Sequence, residues 1–452
     1  MDRRASPNAT STVEDTYLAP RFGLVEYIRR LREDQLSVLV PEVFHRNLIY
    51  NRFLFLHSFL VNKPDYIEHV LLTNQRNYVK SQFVRTELGP LLGNGLLLGE
   101  GAFWRRQRRI AAPAFQHQRI AGFLDAMSAS AEAMTARWHG RRGPFDVAAE
   151  MMGLTLSIIA HTMFSSDVSG EVEVVRQLMD EVVARRVNLL DLFGFPRWLP
   201  RRNSKRYRAA IRAFDALVAR LIAGRRANGA DRDDLLAMLL AAHDPETGEG
   251  MSDKQLRDEI LTIFAAGHET TANALSWTWY LLARHPEAEA KLHAELDRVL
   301  GGRAPGLADL AELKYTRMVV EEALRLYPPV HTIARTAVKE DWIGGVRIPP
   351  GAAVFISIYT THGNPTLWPE PERFDPEHFT PVAAAKRHRF AYLPFGGGPR
   401  ICIGNGFAMA EAQVILATIA QRYRLRLAAG HEVQPVGLVT LRPKHGIWMT
   451  LD

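Results

Sequence analysis

Between Asp253 and Arg284 the chain runs 32 residues without a proline. Apolar side chains recur there at helical spacing, through Leu256, Ile260, Ile263, Phe264, Ala274, Leu275 and Leu281. Ser252 or Asp253 caps the start, and Pro286 sets the end, because the residue before a proline is driven out of the helical region. A helix of that length reaches roughly 48 Å. It carries no heptad seam and so is not a coiled coil. It has to cross the middle of one large domain, which narrows the fold more than any other stretch of the sequence.

The rest of the pattern agrees with a large, mostly helical body. From about Trp104 to Ala242 there is little period-two alternation, and Asn228-Gly229 and Pro245 to Gly250 read as loops. Strand-like runs are short: Ser37 to Val40, Phe53 to Val61, and Trp342 to Ile358 with its Gly344-Gly345 and Pro349-Pro350-Gly351 turns. A further helix ends at Tyr327-Pro328-Pro329. A proline-rich segment from Asn364 to Pro381 then leads to a glycine-rich loop and a last helix from about Gly406. We expect a mainly α fold with a minor β part, as one domain over residues 19–452 behind a polar, disordered N-terminus at 1–18. Apolar residues at 47% are enough for a sizeable core.

No apolar run approaches the roughly 18 residues of a membrane span, and the start lacks a secretory signal. The expectation is a cytoplasmic protein without a transmembrane anchor. Lys and Arg number 56 against 49 Asp and Glu. The basic runs Arg105-Arg106-Gln107-Arg108-Arg109 and Lys386-Arg387-His388-Arg389 are not interleaved with stacking aromatics and match no nucleic-acid module, so no nucleic acid is expected as a partner.

Cys402 is the single cysteine, which excludes an intramolecular disulfide. It sits in Pro394-Phe395-Gly396-Gly397-Gly398-Pro399-Arg400-Ile401-Cys402-Ile403-Gly404-Asn405-Gly406, just before the last helix. Unpaired N–H groups and the dipole at a helix start favour an anion, which would lower the thiol's pKa and suit it to a metal. The residues alone leave open a structural thiol, or a nucleophile whose base the spacing does not identify.

Inside the long helix stands Ala266-Gly267-His268-Glu269-Thr270-Thr271. An interior glycine costs about 1 kcal/mol relative to alanine. The Thr270 hydroxyl can bond back to the carbonyl of Ala266, with Gly267 leaving room beside it. An acid next to a hydroxyl can order water and deliver protons. A solvent-facing polar turn is the plainer alternative. His268-Glu269 is not a zinc motif, because position 272 is Ala272.

Phe395, Gly398, Arg400, Cys402 and Gly404 match Phe-x-x-Gly-x-Arg-x-Cys-x-Gly, the signature of the cytochrome P450 family, and the chain resembles a soluble bacterial-type member. The resemblance implies the P450 fold, with haem b between the long central helix and the cysteine-loop helix. It implies Cys402 as the iron ligand, Phe395 packed beside the thiolate, Arg400 on a haem propionate and Gly404 permitting close approach. Ala266, Gly267, Glu269 and Thr270 match the family's oxygen-activating motif. Trp104 and Arg108, four apart on one helix face, and Arg335, ten after Arg325, match its propionate-binding positions. Glu322 and Arg325 match its structural Glu-x-x-Arg pair, with Arg373 as the downstream partner. Family placement puts Phe83, Leu92, Val330, His331 and Thr332 near the substrate, against core packing as the bland reading.

The implied reaction inserts one oxygen atom from O2 into a lipophilic small molecule such as a fatty acid or terpenoid. Electrons would come from a separate ferredoxin or flavodoxin with its reductase. A haem peroxygenase or isomerase, or a haem sensor, is the rival reading.

Overall fold

The computed structural model describes residues 22–53, 56–164, 205–228 and 234–452. The expected N-terminal tail, 1–18, and Gly229 lie outside them. Seven helices position the site: α1 (Gln82–Leu92), α2 (Gly101–Ala111), α3 (Leu124–Trp138), α4 (Val147–Phe164), α5 (Asp253–Arg284), α6 (Lys314–Leu326) and α7 (Asn405–Ala420).

The long helix has the expected bounds because both ends carry explicit signals. Ser252 Oγ accepts the Gln255 N–H at 3.3 Å while Gln255 Oε1 accepts the Ser252 N–H at 2.7 Å, a reciprocal cap. Pro286 follows His285 at the other end. Leu256, Ile260, Phe264, Leu275 and Trp277 of α5 are fully buried, against α4, α6 and α7. Truncating one such side chain to alanine costs about 2–5 kcal/mol, so this packing fixes where the middle of α5 lies.

The largest part of the β structure is a five-stranded sheet with a separate small core, and a three-stranded and two two-stranded sheets accompany it among the described residues. The five-stranded sheet contains β1 (Leu48–Phe53), β2 (Leu56–Val61), β3 (Tyr78–Lys80), β4 (Thr332–Ala337) and β5 (Ala353–Ser357), in the order β1-β2-β5-β4-β3. Only the β2–β5 pair is parallel. Two more strands, β6 (Pro435–Gly437) and β7 (Leu441–Pro443), form a hairpin beside α5. The run Ser37 to Val40 is not a strand. Gln35–Val38 form a 3-10 turn, held by Asp34, whose carboxylate accepts the Leu36 N–H at 3.0 Å, and Pro41 then interrupts the apolar run.

Candidate active site

The cysteine loop folds back on itself. Cys402 donates its N–H to the Phe395 carbonyl at 2.9 Å, which packs the loop around the half-buried Phe395. Gly398 has φ +67°, and a Cβ there would run into the carbonyl oxygen of Leu71. Gly404 caps α7 and has only the Phe115 ring in reach of a Cβ, at 3.9 Å. The Cys402 thiol is exposed, yet burial pushes its pKa up, with the Gly404 N–H and Arg108 pulling the other way. Both observations hold for a sulfur with one open side and dense protein on the rest. Desolvation thus opposes the helix-start N–H and the cation at this sulfur.

At the middle of α5, three successive carbonyls accept hydroxyls. Thr270 donates to Ala266 at 2.6 Å, Thr271 to Gly267 at 3.0 Å, and Thr155, reaching across from α4, to His268 at 2.9 Å. The first of these is the bond the spacing predicts. A Cβ on Gly267 would meet Ile159 of α4 at 3.4 Å, an ordinary van der Waals contact, so packing against α4 does not by itself demand the glycine. Glu269 reaches to the β6–β7 hairpin, where Thr440 donates to its Oε1 at 2.6 Å. Asn273 Nδ2 in turn donates to Thr440 at 3.3 Å. The acid and the alcohol are neighbours in sequence whose side chains bind different elements. Thr440 and Asn273 carry no local sequence signal that would have found them.

Ahead of α2, the segment from Leu91 to Leu96 is fastened to the first turns of α5. Asp258 accepts the Asn94 N–H and Glu259 the Leu96 N–H, both at 2.9 Å, while Arg257 donates to the Leu91 carbonyl at 2.8 Å. Burial raises Glu259 to about 7.

The expected propionate-binding residues converge. The Arg400 guanidinium lies 4.2 Å from the centroid of the buried Trp104 ring, and that of Arg108 lies 5.8 Å from it. Arg335 on β4 is buried, and its pKa falls to about 10 through burial first and Arg400 second, against Glu100. Arg400 pairs with Glu100, while its Nη1 is buried without a hydrogen-bond partner. Lys80 and Glu100, which the sequence reading missed, belong to the same group of charges.

The structural triad differs from expectation in its third member. Glu322 and Arg325 are fully buried and bonded at 2.7 Å through both guanidinium nitrogens that face the carboxylate. Arg325 also donates to the carbonyls of His362, Pro371 and Arg373 at 3.0, 2.7 and 2.9 Å. Arg373 thus contributes its backbone, and its exposed guanidinium pairs with Glu370 at 2.9 Å. His378 stands in the expected place, with Nδ1 3.2 Å from Glu322 Oε1, beside the Asp375 N–H at 2.9 Å.

Of the residues expected near substrate, Val330 keeps 38% of its surface exposed, and Phe83 and Thr332 are half-buried. Leu92 is in the helical core. His331 is buried, bonded through Nε2 to the Leu438 carbonyl at 3.0 Å and through Nδ1 to Thr332 Oγ1 at 3.1 Å. Its burial lowers its pKa, so the imidazole is neutral and fastens β4 to the β6–β7 hairpin rather than presenting a free polar group. The basic run of α2 is partly neutralised as well, since Asp244 pairs with Arg106 and Arg109.

The cysteine loop, the middle of α5 and the arginine cluster sit together within a mainly α fold, and comparison with known proteins gives the family. The family profile Cytochrome P450 matches residues 39–448. The chain is 42% identical over 438 residues to cyclooctatin synthase of Streptomyces melanosporofaciens, covering 96% of this chain and 95% of that one. It is 37% identical to cyclooctat-9-en-7-ol 5-monooxygenase of the same organism (85% and 84% covered) and 35% identical to pentalenene oxygenase of Streptomyces avermitilis (84% of each). The crystal structure of the cytochrome P450DA haem domain superposes with a TM-score of 0.82 at 28% identity, covering 96% of each chain. The chain belongs to the cytochrome P450 family and is a haem-containing monooxygenase. No helix among the described residues is long and apolar enough to cross a membrane.

The residues present fit haem. Arg335, Arg400 and Lys80 share a single carboxylate, Glu100, with Arg108 as a further cation beside Arg400, and one buried guanidinium nitrogen lacks an acceptor. Burying cations beside one another is costly unless anions answer them, and the two propionates of haem b would supply that charge.

Proposed function

We propose that this monooxygenase oxidises a terpenoid-type lipophilic molecule, with Cys402 as iron ligand and electrons delivered by a separate ferredoxin or flavodoxin. The observation that carries the substrate class is the 42% identity to cyclooctatin synthase across 96% of the chain. The names of the other relatives, a cyclic alkenol monooxygenase and pentalenene oxygenase, point the same way and away from fatty acids.

Haem, when bound, supplies the activation of dioxygen at its iron. The chain's own residues do the rest. Cys402 gives the iron its thiolate, Arg335 and Arg400 hold the propionates with Arg108 and Trp104 beside them, and Phe395 shields the sulfur. Thr270, whose hydroxyl donates to the Ala266 carbonyl, and the Glu269 carboxylate, whose Oε1 accepts from Thr440, are the alcohol and acid that would pass protons to the reaction. Val330, Thr332 and Phe83 present mainly apolar surface to the substrate.

Two measurements test this reading. The dithionite-reduced protein under carbon monoxide should show the strongly red-shifted Soret band of a thiolate-ligated iron, absent in Cys402→Ser. With a surrogate ferredoxin and its reductase, cyclic diterpene alkenols and sesquiterpene hydrocarbons should gain one oxygen atom. Turnover of long-chain fatty acids alone would overturn the substrate class, and an unshifted band would overturn the ligand.

A further inference from the structure

The chain between α1 and α2 lies directly against the first turns of α5. Gly93 ends α1 with φ +59°, and a Cβ on it would run into the Asp258 carboxylate. A Cβ on Gly95 would fall 2.5 Å from Thr262 Oγ1 and 2.8 Å from the Asp258 carbonyl oxygen. Two glycines thus let this backbone approach α5 closely. Thr262 stands four residues before Ala266, so Gly95 packs about 6 Å along the helix from the carbonyl that holds Thr270. At its other end the same stretch runs into Glu100, where α2 begins, with Trp104 beside Arg400.

A run of three side chains holds the stretch in place. Asp258 Oδ2 accepts the Asn94 N–H and Glu259 Oε2 the Leu96 N–H, both at 2.9 Å. Asp258 is answered by Arg257 at 3.1 Å and Lys254 at 2.9 Å. Glu259 is buried and has no ion pair among the described residues. Arg257 carries the tie further. Its Nη1 donates to the Leu91 carbonyl and its Nε to Asp215 of the helix Lys205–Asn228, each at 2.8 Å. The stretch is gripped by its backbone, which leaves its leucines for packing. Leu91, Leu92 and Leu98 are buried in the helical core, and Leu96 and Leu97 are half-buried against it.

We propose that Asp258 and Glu259 are positioning residues for the substrate. Acting through the amides of Asn94 and Leu96, they hold Leu96 and Leu97 as a fixed apolar wall beside the Ala266 turn, and Arg257 ties that wall to the helix Lys205–Asn228. The proposal rests on the reading of Cys402 and Thr270 as parts of one haem site. A wall fixed before the ligand arrives spares binding the cost of ordering it. Glu259 offers the cleaner test of the two. Glutamine there keeps the acceptor and drops the charge, whereas leucine keeps the bulk and drops both.

The test uses purified holoprotein as the parent, Glu259→Leu and Glu259→Gln. Hydrogen exchange over residues 93–98 is followed by mass spectrometry. Dissociation constants of imidazole and of clotrimazole are read from the shift of the Soret band. Imidazole is small enough to sit at the iron alone, while clotrimazole brings bulky apolar rings to the surrounding wall. Losing one hydrogen bond to a carboxylate should speed exchange at Leu96 about tenfold or more in Glu259→Leu. Clotrimazole should bind that variant about fivefold or more weakly, with imidazole within about twofold of the parent. Glu259→Gln should match the parent in every reading. Should Glu259→Leu not take up haem, Glu259→Ala takes its place with the same expected signs.

Faster exchange with unchanged clotrimazole binding would put the leucines away from the ligand and overturn the proposal. Unchanged exchange would overturn the grip itself. Equal weakening of both azoles would leave Glu259 a structural residue only, and Glu259→Gln behaving as Glu259→Leu would assign the effect to the lost charge; either overturns the positioning role. If imidazole leaves the Soret band of the parent where it is, the haem reading fails first and the proposal falls with it.

Discussion

Thr440 donates its hydroxyl to Glu269 Oε1 at 2.6 Å, across 171 positions of sequence. The contact joins the middle of α5 to the β6–β7 hairpin and fixes one carboxylate oxygen. Thr440→Val keeps the shape and removes the donor. Hydrogen bonds to charged groups contribute about 1.5–3 kcal/mol. We therefore expect the ratio of product formed to reducing equivalents consumed to fall several-fold, with haem content unchanged and Thr440→Ser restoring the ratio. An unchanged ratio in Thr440→Val would reduce the contact to a structural tie.

Gly398 has no room for a side chain, because its positive φ and the Leu71 carbonyl both exclude a Cβ. Gly398→Ala should destabilise the folded protein by at least about 1–3 kcal/mol. The cost should appear as a lower melting temperature and a smaller fraction of protein that binds haem.

Glu322 and Arg325 form a fully buried pair, with Asp375 and His378 completing the carboxylate's partners. Glu322→Gln leaves Arg325 charged and under-answered, at a cost of about 3–5 kcal/mol. Arg373→Ala keeps the backbone carbonyl that Arg325 uses and should cost less than about 0.5 kcal/mol. Equal losses in urea unfolding of the two variants would contradict the observed triad.

Glu411 on α7 is buried against α5, where desolvation pushes its pKa up to about 8 and the nearby Thr271 hydroxyl pulls the other way. The folded protein keeps this proton at a pH where the unfolded chain has released it. This contribution to stability is therefore complete below about pH 4.5 and declines as the pH rises toward about 8. Over that window it is on the order of a few kcal/mol. Glu411→Gln should flatten that slope in melting temperature measured across the range; an unaltered slope would assign it to other groups.

What the sequence makes legible follows from how locally each feature is encoded. The bounds of α5 depend on Ser252, Gln255 and Pro286, all adjacent to the ends they set, and the structure reproduces them. The Thr270–Ala266 bond is one helical turn and follows from spacing alone. The partners of Glu269 and Arg400 are different: Thr440 and Glu100 lie 171 and 300 positions away and follow from tertiary packing. His378 was missed for a subtler reason. The neighbouring Arg373 matched a motif, but Arg325 already covers the face of Glu322 that a second guanidinium would need. The Ser37 to Val40 run misled because apolar composition was weighed above the Asp34 cap and the Pro41 stop.

The three hydroxyls on the carbonyls of Ala266, Gly267 and His268 share acceptors with the backbone amides of Thr270, Thr271 and Ala272, one turn further on. A carbonyl with two donors holds each less tightly, and the same bonding recurs along the helix, where the Asp258, Ala272 and Ala274 carbonyls accept the hydroxyls of Thr262, Ser276 and Thr278. A long rod ordinarily frays at its tips and is stiffest at its midpoint. In this protein side-chain hydroxyls compete with the amides well inside the rod, and amide protons there should exchange with solvent deuterium sooner than their depth in the molecule suggests.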